Sequence, residues 1–170
     1  MTPKIFGAIL IMLACGGMGF SVAATHRRKE QMLQQIQSAV KFMSCELQYR
    51  QTALPTLLSL AAKETGGMIR QILSAMHREL ERQIAPDVAF CMQVVLADYP
   101  KLPQTVLQKL QLMGNTLGRF DLSGQLSGLE TVSQLCQRDL DGLLLNRDAR
   151  LRSYGTLGLC AGAALVILFI

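Results

Sequence analysis

Met113-Gly-Asn-Thr-Leu-Gly-Arg-Phe-Asp-Leu-Ser-Gly-Gln125 is the stretch on which the fold turns, because one helix ends in it and another starts that meets no proline before the C-terminus. Gly114 and Gly118 weaken the first helix, since glycine costs about 1 kcal/mol against alanine in a helix interior. Asp121 suits an N-cap, where its carboxylate accepts bonds from the unpaired amides of the next turn. A helix from Leu122 to Ile170 would be ~70 Å long at 1.5 Å per residue. That exceeds any core a chain of 170 residues can build, so part of it is expected to project or to be buried in something other than protein.

The far end of that helix suggests lipid. Gly155 to Ile170 carries no charge and no strongly polar side chain beyond Thr156. Its length of roughly 24 Å falls short of the typical hydrocarbon thickness of about 30 Å but lies near the lower limit for a span. Tyr154 would sit at headgroup level. The alternative, a buried core helix, lacks a comparably apolar face elsewhere to enclose it. Ile5 to Ala24 is a second charge-free run, twenty residues long, the length a spanning helix needs. A cleaved signal peptide competes with an anchor here, because Lys4 supplies a basic start and Ser21 to Ala24 are small. The run is longer than a usual signal core, and His26-Arg-Arg-Lys29 follows at once. An uncleaved anchor is expected.

The formal net charge of +5 invites an acidic partner such as nucleic acid, but the distribution argues otherwise. Arg27, Arg28, Lys29, Arg147, Arg150 and Arg152 flank the two apolar runs, whereas between Glu30 and Asn146 ten Lys and Arg face eleven Asp and Glu, a net of about −1. No nucleic-acid partner is expected, and the basic excess is assigned to the membrane lipid. Cations near span ends are retained on the cytoplasmic side. Both sets of three lie on the central segment, which places it in the cytoplasm with both termini outside. The expected domains are an anchor over 1–25, a helical bundle over 26–153 and a second membrane helix over 154–170.

The central segment reads as helical nearly throughout. Met32, Ile36, Ala39, Val40, Met43 and Leu47 recur at intervals of three and four and predict a helix over Glu30–Tyr49. Pro55 marks the start of a helix over Leu54–Glu64, ended by Gly66 and Gly67. A stripe of Met68, Ile72, Leu73, Met76, Leu80 and Ile84 predicts a third. Pro86 and Asp87 open a fourth, Pro100 and Pro103 separate it from a fifth, and Leu122, Leu126, Leu129, Val132, Cys136, Leu140 and Leu143 mark the long sixth. No run alternates with period two. The fold class is therefore all-α, an antiparallel bundle of about six helices with a membrane helix at each end.

Nothing in the residues supports an enzyme, a cofactor or a metal. The five cysteines include no C-x-x-C pair and read as small buried hydrophobes in a reducing compartment. His77, in His-Arg-Glu-Leu-Glu, lacks the second histidine of a helical zinc site and reads as part of a solvated face. The glycines at 114 and 118 are followed by no Lys-Ser or Lys-Thr, so they do not form a phosphate loop. Two signals concern packing instead. Gly158 and Gly162 in the second apolar run, and Cys15, Gly19 and Ala23 in the first, put small residues on one helix face and permit close approach between membrane helices. Gly124 and Gly128 would let another helix cross tightly. Asp121 stands as a plain cap or, with Gln125, as a partner contact.

The order of features resembles the stage III sporulation protein AB family of endospore-forming bacteria. The likeness rests on Gly19-Phe20 at the end of the first apolar run, on Cys45-Glu-Leu-Gln-Tyr-Arg-Gln-Thr-Ala-Leu-Pro55, and on Leu117-Gly118-x-x-Asp121-x-x-x-Gln125, with a hydrophobic C-terminus. Arg50 departs from the pattern, which has glycine after the tyrosine. The resemblance implies a component of the membrane complex between mother cell and forespore, seated in the mother-cell membrane. It also implies a bundle similar to the inner-membrane platform proteins of type II secretion and type IV pilus systems. Its partners would be the secretion-type ATPase of the same complex and other membrane proteins of the sporulation channel. The partner-binding residues it points to are Glu46, Tyr49 and Pro55 at one turn and Leu117, Gly118, Asp121 and Gln125 at another, with Glu46 and Asp121 offering negative charge. The alternative is a membrane-tethered structural or signalling bundle that forms a homo-oligomer through its long helix and binds no ATPase.

Overall fold

A computed structural model describes the backbone of residues 2–82 and 87–169 and the side chains of residues 25–82 and 87–145. Six helices follow one another: α1 (Thr2–Arg50), α2 (Leu54–Glu64), α3 (Gly67–Glu81), α4 (Val88–Ala97), α5 (Gln104–Thr116) and α6 (Leu122–Phe169). No strand occurs among the described residues, so the all-α expectation holds. The chain divides into two compact units, one made of Met1–Arg28 with Asp141–Ile170 and the other of Lys29–Leu140. The first consists of the opening segment of α1 and the closing segment of α6. Among the described residues no helix is long and apolar enough to cross a membrane. The expected spans over 5–24 and 155–170, with Cys15, Gly19, Ala23, Gly158 and Gly162, fall where the side chains lie outside the described residues.

Within Lys29–Leu140 the short connections force consecutive helices to run antiparallel. α1 turns into α2 through Gln51–Ala53 and α2 into α3 through Thr65 and Gly66. At that second turn the Gln35 amide of α1 lies 3.3 Å from where a Gly66 Cβ would stand. α4 meets α5 with Met92 against Gly114 and Val88 against Gly118, and α5 meets α6 with Thr116 against Gly128 and Lys109 against Asp139. In both pairs one number rises as the other falls.

The buried face of each helix follows the periodic reading with a slip of one residue at the ends. α1 buries Leu33, Ile36, Ala39, Val40, Met43 and Leu47, so Leu33 replaces the expected Met32; α3 buries Ile69 rather than Met68, with Ile72, Leu73 and Met76, while Leu80 is half-buried and Ile84 lies outside the described residues. α6 buries Leu129, Val132, Cys136 and Leu140, while Leu122 is exposed because it begins the helix at the end of the bundle. Met43, Met76, Met92 and Met113 are among the large side chains that are fully buried.

Two features fix α5 on α6. A Cβ on Gly128 would overlap Thr116 Cγ2 and stand 2.8 Å from Thr116 Oγ1, whose own hydroxyl donates to Leu112 O at 2.8 Å. Gly128 therefore allows the close crossing anticipated for it. Farther along, Lys109, only 7% exposed, is paired with the half-buried Asp139. A buried ammonium is tolerated only with such a partner. On the next turn of α6, burial pushes the Cys136 thiol up to about 11 from an ordinary 9.0; the Lys109 ammonium opposes the rise and the Asp139 carboxylate adds to it.

Gly128→Ala is expected to lower stability by about 1–3 kcal/mol through overpacking. Gly142→Ala, where a Cβ meets nothing within 4 Å, should be neutral or stabilising by up to about 1 kcal/mol. Paired thermal melts check the contrast. Because the Cys136 pKa is raised on folding, its contribution to stability is complete below pH 9 and is lost as pH rises through about 11. Melts across that window should show a decline that Cys136→Ala reduces. Iodoacetamide should modify the exposed Cys45 while sparing the buried Cys136 in the folded chain.

Candidate functional site

The two turns singled out in the sequence come together at one end of the Lys29–Leu140 unit. A Cβ on Gly118, in the α5–α6 turn, would stand 3.2 Å from Leu54 Cδ2 at the start of α2 and 2.9 Å from Val88 Cγ2 at the start of α4. Gly118 has φ +74°, in the left-handed region that a side chain resists. Position 118 thus combines two reasons for glycine. Leu117 beside it is fully buried, so it anchors the turn in the core and is not available to a partner.

The start of α6 is built by its own side chains. Asp121 Oδ1 accepts from Gly124 N at 3.0 Å, its Oδ2 accepts from Ser123 Oγ at 2.9 Å, and its carbonyl accepts from Gln125 N at 2.9 Å. Gln125 reaches back, its Nε2 donating to Phe120 O at 2.8 Å. The spacing Leu-Gly-x-x-Asp-x-x-x-Gln is therefore a helix start: a plug, a left-handed residue, a cap and a brace. α2, α3, α4 and α5 begin without a side-chain cap, which makes the α6 start the one built this way among those five. A Cβ on Gly124 would meet Phe120 and Asp121 of its own turn, so this glycine serves the cap and not the crossing of another helix.

The α1–α2 turn is also self-contained. Glu46, mostly buried in the last turns of α1, accepts from Thr52 Oγ1 at 3.0 Å and lies 3.5 Å from the Arg50 guanidinium. Pro55 occupies the first turn of α2, where a missing N–H costs nothing. Arg50 closes α1 in helical conformation, and the left-handed residue is its neighbour Gln51, φ +48°. Arginine is thus accommodated at 50 without strain.

With both carboxylates engaged inside their turns, the accessible character of this end is aromatic. Tyr49 is 80% exposed and Phe120 55% exposed, each in a turn of this end, with Phe90 on the first turn of α4 and Leu122 at the start of α6 also exposed. Tyr49 belongs to the motif, Phe90 and Phe120 belong to no pattern read from the sequence, and Leu122, expected on the apolar stripe of α6, is exposed. The available signal was an aromatic residue set between Arg119 and Asp121 in a polar turn. Large apolar side chains left exposed at two turns that meet suit a binding surface. Among the described residues no three His, Cys, Asp or Glu side chains gather as metal ligands would.

Asp121→Ala is expected to cost about 1 kcal/mol by removing the cap, while Asp121→Asn should retain most of it, since asparagine caps nearly as well. Chemical denaturation of the two variants checks this. Equal losses would show that charge, and not the accepted amide bond, matters at this position.

The family described as stage III sporulation protein AB matches residues 4–170. The stage III sporulation protein AB of Bacillus subtilis (strain 168) is 23% identical over 170 residues, which cover 97% of this chain and 98% of that protein. A solved structure of a stage III sporulation protein AB is similar in fold, with TM-score 0.63 and 18% identity over 72% of this chain and 98% of that one. A match that runs from residue 4 to residue 170 takes in both turns and every helix, and the chain belongs to the stage III sporulation protein AB family.

Proposed function

We propose that this protein acts in sporulation as a membrane-anchored, non-enzymatic platform of a secretion-like channel complex between mother cell and forespore. In this proposal it docks the complex's secretion-type ATPase through the end of the bundle that carries Tyr49 and Phe120. Family membership supports the sporulation role. The ATPase contact is supported by one observation above others: two turns far apart in sequence meet at one end and present aromatic side chains there. Tyrosine and other aromatics are enriched among residues that dominate binding, because they bury large area with little rotamer entropy. Glu46 and Asp121 hold this surface in shape from within their turns.

The distinction alters the choice of test. Asp121→Lys would disturb the cap together with any contact, so it cannot separate the two. Tyr49→Ala and Phe120→Ala remove exposed side chains and should leave the bundle helical. From solubilised membranes of sporulating cells, wild type is expected to retain the ATPase, and each variant to weaken that association by about tenfold or more. Undiminished recovery in the double variant would move the docking site elsewhere. Failure of the wild type to recover any ATPase would favour the tethered, self-associating bundle.

A further inference from the structure

A cleft of about 390 Å³ lies between α2 and α3, lined by Ser59, Ala62 and Lys63 from the first and Arg70, Ser74 and His77 from the second. It continues past α3 toward Arg78 and Tyr99. The α3 residues stand at i, i+4, i+7 and i+8, which puts them along one face of the helix. Among the described residues no carboxylate lines either part of the cleft, though Glu81 stands beside the lining His77. Lys63, Arg70 and Arg78 form no ion pair among the described residues, as holds also for Lys41, Lys101, Arg119 and Arg138. Folding thus sets Lys63 with Arg70 at the first part of the cleft and Arg70 with Arg78 at the second, in a segment whose overall charge is near zero. Like charges held together repel, and an anion between them removes that cost.

The polar groups around the cations point to the kind of anion. His77 Nδ1 is buried without a hydrogen-bond partner, while Nε2 lies 3.5 Å from Glu81. The solvated face read from the sequence is exposed at Arg78, Glu81 and Arg82, while His77 itself is half-buried. The Ser59 hydroxyl donates to Thr56 O at 2.8 Å and keeps only lone pairs for the cleft, whereas the Ser74 hydroxyl has no partner among the described residues. The Arg70 guanidinium, the Lys63 ammonium and the Ser74 hydroxyl therefore offer donors from two helices. A carboxylate has two oxygens in one plane; a phosphoryl group has three strong acceptors pointing different ways, and arginine binds such a group with two parallel bonds. We propose that the α2–α3 cleft is a phosphate-binding site in which Arg70, Lys63 and Ser74 hold a phosphoryl group. The proposal stands apart from the ATPase docking, since it uses none of the same residues.

The test uses the full chain in neutral detergent micelles and isothermal titration with two probes. Inorganic phosphate represents a free anion, and dihexanoyl phosphatidic acid represents a lipid headgroup. Saturable binding of at least one probe is expected, weakened about tenfold in Arg70→Gln and unchanged in Lys101→Gln, which removes an exposed cation outside the cleft. Saturation by phosphate assigns a soluble ligand; saturation by phosphatidic acid alone assigns a headgroup. Arg70 is exposed and unpaired, so its substitution should leave the far-ultraviolet circular dichroism intact. Ser74→Ala gives a second, milder reduction should Arg70→Gln fold poorly. Absence of saturation by both probes, wild-type affinity in Arg70→Gln, or an equal loss in Lys101→Gln would overturn the proposal.

Discussion

The bundle depends on how closely α5 can lie on α6, and that distance is set by the absence of a side chain at Gly128. Thr116 occupies the space a Cβ would need, and its hydroxyl is tied down within its own helix. The two helices then approach through backbone and methyl surface, with little side-chain entropy lost in the contact. A second fixed point lies three turns away, where Lys109 is paired with Asp139. One contact sets the separation of the helices and the other their register. The intervening turn, Leu117 to Asp121, has to be short and left-handed at one residue, which is why its composition is so constrained.

The same geometry explains how a docking surface can arise from residues that mostly serve the fold. Glu46 and Asp121 are engaged by Arg50, Thr52, Ser123 and the Gly124 amide. Their role is to stiffen two turns. Stiff turns hold Tyr49 and Phe120 outward in defined positions, and a preorganised aromatic side chain loses less entropy on binding than a mobile one. Motif and surface are thus adjacent but distinct: the residues that are easiest to recognise in the sequence support the ones that would make contact.

The helices were legible from the sequence because apolar residues at intervals of three and four leave few alternatives, and proline and glycine mark their ends. Leu54–Glu64 and the start at Leu122 follow directly from Pro55 and Asp121. The slips, Leu33 for Met32 and Ile69 for Met68, occur where an adjacent pair of apolar residues leaves the helix phase open by one position. The convergence of the two turns was not legible, since no local pattern reports that Leu54, Val88 and Gly118 meet. Charge was misleading in another way. Counting cations over the whole segment gives a near balance, yet helix pairing brings Lys63, Arg70 and Arg78 to the lining of one cleft. Composition carries no information about such local segregation.

The buried methionines bear on how this fold persists while its sequence changes. Met43, Met76, Met92 and Met113 fill the interior with unbranched thioether side chains that adjust to the shape of their neighbours. A core of β-branched residues would demand a matching change for each substitution, whereas these can follow a change next to them by rotating. Relatives at 23% and 18% identity share the family and the architecture. The interior can drift by small volume exchanges, and the positions with least latitude are those where a backbone is touched: Gly114 under Met92, Gly118 under Val88 and Gly128 under Thr116. Evolutionary freedom in this bundle is thus greatest in its oily centre and least at three points where there is no side chain to exchange.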